Sequence, residues 1–128
     1  MARVLVVDDD RHDLRALALA MAVDDHALEM LDGPGAASAL RSRLDGEVPD
    51  VVVLSRDLPD EDGLVVLREL RAHPQWADLP VLVTSQQDSD EAVWEGWAAG
   101  ASSYVTPPLD AGRLRDLVIE QLVQQTFG

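Results

Sequence analysis

A parallel α/β sheet covered by helices on both faces is the fold class this sequence predicts, and three observations carry it. Five short apolar or β-branched runs recur, roughly Arg3–Val7, Ala27–Leu31, Val51–Leu54, Pro80–Thr84 and Ser102–Val105. A helical pattern follows each run, and that alternation is the signature of successive βα units. Runs such as Val4-Leu5-Val6-Val7 and Val51-Val52-Val53-Leu54 are apolar at every position, as central strands must be when helices cover both sides.

The elements follow in chain order. After the first run, helix α1 is predicted from an Asp10 cap through Met21, with Leu14, Leu17, Ala18 and Met21 on one stripe. Helix α2 is predicted after Asp32-Gly33, with Pro34 in its first turn and Ala37, Leu40 and Leu44 buried. Helix α3 is expected from Gly63 to about Ala72, and α4 around Val93–Ala98. Helix α5 carries Leu114, Leu117, Val118 and Leu122 on its apolar stripe. Breakers at Gly46, Pro49, Pro74 and Gly100 fall between these segments. Right-handed crossovers then predict a three-layer, doubly wound (βα)5 sandwich of flavodoxin-like type, strand order 2-1-3-4-5. Its crevice lies at the carboxyl ends of strands 1, 3, 4 and 5. One domain is expected over residues 1–128, because that length suits a single core and holds no linker.

Composition narrows the function. With 24 acidic against 10 basic residues the net charge is −14, so a phosphate backbone is repelled and nucleic acid is not an expected partner. No cysteine is present, which excludes disulfide scaffolds, thiolate metal sites and thiol redox chemistry and fits a reducing cytoplasm, the expected location. The apolar runs are strand-sized and too short to cross a bilayer, so no membrane association is expected. No glycine-rich phosphate-binding motif follows any strand, and the Asp8-Asp9-Asp10 loop is hostile to phosphate, which argues against a nucleotide or flavin binder.

The predicted topology brings four segments to one crevice: Asp8-Asp9-Asp10, Ser55, Thr84-Ser85 and Thr106-Pro107-Pro108. Together with the stretch Val51-Val52-Val53-Leu54-Ser55-Arg56-Asp57-Leu58-Pro59, this arrangement resembles the receiver domains of bacterial response regulators, the CheY-like superfamily of two-component systems. The resemblance covers nearly the whole chain. It implies that Asp8 and Asp9 take metal positions, Thr84 the switch hydroxyl, Tyr104 the aromatic switch and Pro108 a proline preceded by a cis peptide. Two positions depart from the pattern. Ser55 stands where the phosphoacceptor aspartate is expected, and Pro107 where the lysine is expected.

Those departures have chemical consequences. A serine hydroxyl needs an adjacent general base to become a nucleophile, whereas a carboxylate does not, and His12, His26 and His73 read as ordinary surface residues. Loss of the lysine removes charge stabilisation from the transferred phosphoryl oxygens. No catalytic residue is therefore expected. The resemblance then implies a pseudo-receiver of phosphorelay signalling, an interaction module rather than an enzyme. It requires no cofactor, and Asp8 and Asp9 form a vestigial, weak Mg²⁺ site. The competing expectation is a working receiver that uses Ser55 or Asp57 as substitute acceptor. Asp57 by itself reads as a loop acid that does not share the pocket of Asp8 and Asp9, and Arg56 as a cation that could fold back over Asp8 and Asp9.

Only five aromatics occur, three Trp, one Tyr and one Phe, so their placement is informative. By the family pattern Trp94 and Ala98 are expected inward, leaving Val93 and Trp97 outward beside Tyr104. The implied interface is the helix 4–strand 5–helix 5 face, and the partners are signalling proteins (a kinase, an output or a localisation partner) or a second copy in a homodimer. Trp76 is expected to plug the loop before strand 4 against helix 3.

Overall fold

The computed structural model describes residues 2–8, 21–22, 25–107 and 110–127, the last three without their side chains. Five strands, β1 (Arg3–Asp8), β2 (Ala27–Asp32), β3 (Val51–Ser55), β4 (Val81–Thr84) and β5 (Ser103–Val105), form one sheet in the order β2-β1-β3-β4-β5. All four pairings are parallel. Among the described residues, helices α2 (Ala36–Asp45), α3 (Gly63–Ala72), α4 (Asp90–Ala99) and α5 (Ala111–Phe127) connect or follow these strands. Most of α1 lies outside the described residues; Met21 and Ala22 are helical, and Met21 is fully buried.

The pleat of the sheet sorts the core into two layers, because successive strand residues face opposite sides. Leu5, Val7, Val52, Leu54, Val81 and Val83 pack with Leu40 and Leu44 of α2 and Leu64, Leu67 and Leu70 of α3. Val4, Val6, Val51, Val53, Leu82 and Val105 pack on the other side with Met21 and with Leu114 and Val118 of α5. The three-layer, doubly wound sandwich expected from the sequence is the fold.

Local chemistry sets the helix starts. Asp62 caps α3 by accepting from the Leu64 amide at 2.8 Å, and Ser89 caps α4 by accepting from the Ala92 amide at 3.1 Å. Helix α2 corrects the expected boundary: it begins at Ala36, after a left-handed Gly35 (φ 86°), so Pro34 precedes the helix rather than entering its first turn. Trp76 is buried as expected, stacked on His73 with ring centroids 4.1 Å apart.

Candidate functional site

The crevice begins where β1, β3 and β4 end. Val7 pairs with Leu54, so Asp8 and Ser55 occupy the next rung of adjacent strands, and Ser55 pairs onward with Thr84. Asp8, Ser55, Thr84 and Ser85 are all buried. Directly beyond Ser55 the backbone tightens into a loop. The Arg56 amide continues the ladder to the Thr84 carbonyl at 2.8 Å, the Gly63 amide donates to the Arg56 carbonyl at 2.8 Å, and Asp57 bridges Asp62 in antiparallel fashion. Gly63 permits this closure, since a Cβ there would lie 2.3 Å from the Ser55 carbonyl oxygen.

Asp57 lies in the loop beyond β3, half-buried and hydrogen-bonded. Its carboxylate turns toward the β4 exit, where it accepts from Ser85 Oγ at 3.2 Å, the Gln86 amide at 3.0 Å and Gln87 Nε2 at 2.9 Å. Its own amide donates to Ser55 Oγ at 3.2 Å. The hydroxyl that reaches Asp57 is that of Ser85, whereas Thr84, expected as the switch hydroxyl, is in register with Ser55 across the β3–β4 pair and is buried.

Arg56 runs in the opposite direction. It neither covers Asp8 nor points to solvent: only 6% exposed, it donates through Nη1 to the Ala92 carbonyl at 3.1 Å and to Tyr104 Oη at 3.2 Å. Nη2 pairs with Glu95 at 2.6 Å. Nε makes no hydrogen bond among the described residues, and Asp62 Oδ1 lies 4.0 Å away. Burial opposes the guanidinium's charge, but hydrogen bonds to Tyr104 and Glu95 outweigh it and hold its pKa above the ordinary arginine value.

Tyr104 is likewise an inward residue, not part of an open surface. Its hydroxyl donates to the Gln87 carbonyl at 2.8 Å, and its ring lies against Gly96 so closely that a Cβ at that glycine would sit 2.3 Å from Cδ2. Helix α4 buries Ala92, Gly96 and Ala99 and turns both tryptophans outward, Trp94 70% and Trp97 51% exposed. This corrects the expected packing of Trp94 and Ala98: Ala98 is exposed, and Val93 is partly buried against the core. The inward stripe is made of small side chains because α4 sits tightly on Tyr104.

For a hard divalent cation, which takes six or more oxygens, the described residues supply the Asp8 carboxylate and the Ser55 hydroxyl at this end of the sheet. No group of three or more acidic, histidine or cysteine side chains suited to a metal gathers among the described residues. Asp9 lies outside the described residues, as does Pro108 with its expected cis peptide; Pro107 is exposed at the end of β5. No described helix is long and apolar enough to cross a membrane.

Comparison with known proteins agrees with this geometry. The model of the response regulator receiver domain matches residues 4–119. Among curated relatives, the transcriptional regulatory protein KdpE of Mycobacterium tuberculosis is 37% identical over 108 residues, covering 84% of this chain and 45% of its own length. KdpE of Staphylococcus aureus is 29% identical over 125 residues, covering 96% of this chain and 52% of its own. The chain thus spans about half the length of these relatives. Among solved structures, the receiver domain of the Francisella response regulator 1452 superposes with a TM-score of 0.84 at 25% identity, covering 98% of this chain and 99% of the other.

Proposed function

The chain belongs to the response regulator receiver domain family of two-component signalling, and we propose that within it this chain is an atypical pseudo-receiver, a single domain over residues 1–128 that acts through phosphorylation-independent protein–protein interaction. The observation that carries this reading is Ser55 at the end of β3. Its hydroxyl already accepts from the Asp57 amide, no histidine among the described residues is hydrogen-bonded to it, and the lysine position is the exposed Pro107. A nucleophile without a base and a phosphoryl site without a cationic partner do not support group transfer at a useful rate.

The output is read from the α4 side. Trp94 and Trp97 are large, exposed indoles on one helix, and aromatic anchors of this kind dominate protein interfaces. Asp90 and Glu91 lie on the same helix, so a partner presenting apolar pockets flanked by basic groups is favoured. The family's α4–β5–α5 face is the surface concerned, with a signalling protein or a second copy as occupant. No cofactor is needed, and Mg²⁺ at Asp8 and Asp9 is held weakly.

A second reading rests on Asp57, whose carboxylate lies within hydrogen-bond reach of the Ser85 hydroxyl and the Gln86 amide, the types of group that hold a phosphoryl. Incubation with acetyl phosphate and Mg²⁺ followed by intact mass separates the two. An unchanged mass is expected; a gain of one phosphoryl group, mapped to Asp57 or Ser55, would replace the pseudo-receiver with a working one.

A further inference from the structure

Arg56 and Asp57 are neighbours in sequence, yet their side chains grip two sides of the same segment. Asp57 takes three donors from the residues that follow β4: Ser85 Oγ, the Gln86 amide and Gln87 Nε2. Arg56 takes the Ala92 carbonyl and Glu95 of α4, and Tyr104 of β5. Between the two grips Tyr104 Oη donates to the Gln87 carbonyl, and the tyrosine ring fills the space that Gly96 leaves by having no Cβ. Both arms rise from one cinched loop, closed by the Gly63 amide on the Arg56 carbonyl and by the Asp57–Asp62 bridge.

We propose that Arg56 and Asp57 form a built-in latch that fixes the segment between β4 and α4, and with it the inward Tyr104, in one arrangement without any added phosphoryl group. The charges matter. A carboxylate accepting from a hydroxyl and an amide, and a buried guanidinium donating to a carbonyl and a phenol, make hydrogen bonds roughly twice as strong as neutral ones. Asp57 thereby engages the Ser85 hydroxyl and the Gln86 amide. The latch rests on the pseudo-receiver reading for its signalling meaning only, because its geometry is independent of any partner.

The chain has a single tyrosine, so incorporation of 3-fluorotyrosine yields one ¹⁹F reporter, read alongside amide hydrogen exchange. In Asp57→Ala, exchange at the Gln86 amide should accelerate at least about tenfold while Val6 and Val53 in the central strands keep their wild-type rates. The Tyr104 signal should broaden or split toward the position recorded for Gly96→Ala, which displaces the ring directly. Asp57→Asn, which keeps the shape and loses the charge, should fall between. Unchanged Gln86 exchange would overturn the latch, and so would acceleration shared equally by Val6 and Val53. Faster exchange at Gln86 with an unmoved Tyr104 signal would overturn it too, by confining Asp57 to its own loop. None of these readings uses a phosphodonor or a partner, so the latch and the pseudo-receiver reading can fail separately.

Discussion

The crevice at the exits of β3 and β4 and the outer face of α4 lie side by side and treat water in opposite ways. In the crevice, polar groups are engaged with one another, with Ser85, Arg56 and Tyr104 buried: Asp57 with Ser85 and Gln86, Arg56 with Tyr104 and Glu95. On α4, two indoles are left in solvent although apolar burial would have stabilised them. Chemistry requires groups free to meet a substrate, and recognition requires exposed apolar anchors; the contrast is what the proposed interaction role rests on.

The sharpest way to break the contrast is to rebuild the pocket. Ser55→Asp with Pro107→Lys should raise labelling by acetyl phosphate at least about a hundredfold over wild type, with each single change far behind, as read by intact mass against time. Failure of the double variant would mean that missing groups are not what silences the site. Next in size is Arg56→Met, which keeps the apolar stem but leaves the Ala92 carbonyl and the Tyr104 hydroxyl with one partner fewer. Urea unfolding should show a loss of about 2–4 kcal/mol. By contrast, Trp94→Ala and Trp97→Ala should shift stability by less than about 0.5 kcal/mol, yet weaken partner or self-association by about 2 kcal/mol when either indole is an anchor. A stability loss equal to that of Arg56→Met would show that the indoles serve the fold instead.

The smallest effect concerns pH, away from both regions. A hydrogen bond from Arg41 is the main cause holding the Glu61 carboxyl below its ordinary value. A depressed carboxylate adds stability that is complete above the unfolded-state pKa and is lost as pH falls through the lower folded value. The stability gap between wild type and Glu61→Gln should therefore be constant near neutrality and close on acidification below about pH 4. A gap that widened on acidification would contradict the pairing.

How much of this was legible in the sequence depends on periodicity. The strands and their order could be read because Val4–Val7 and Val51–Leu54 are apolar at every position, and the two core layers then follow from alternation alone. The crevice was legible as a meeting of segments but not as a set of contacts, because Arg56 and Asp57 sit in a loop whose torsions obey no period. Neighbours along a strand end point to opposite faces, so Thr84 keeps register with Ser55 while Ser85 turns to Asp57. The orientation of α4 did leave a signal. Ala92, Gly96 and Ala99 form a small-residue stripe, and a glycine inside a helix costs about 1 kcal/mol relative to alanine, so its presence marks a close approach. Tyr104 is what approaches.

The loop from Arg56 to Gly63 is pinned at its neck, where a missing methyl at Gly63 lets two backbones touch. A hoop tied at its base has few internal ways to flex. Whatever dislodges Asp57 must also tug on Asp62, its bridge partner and the residue that seats the first turn of α3. Two helices on the same side of the sheet are thereby geared to a single knot of chain.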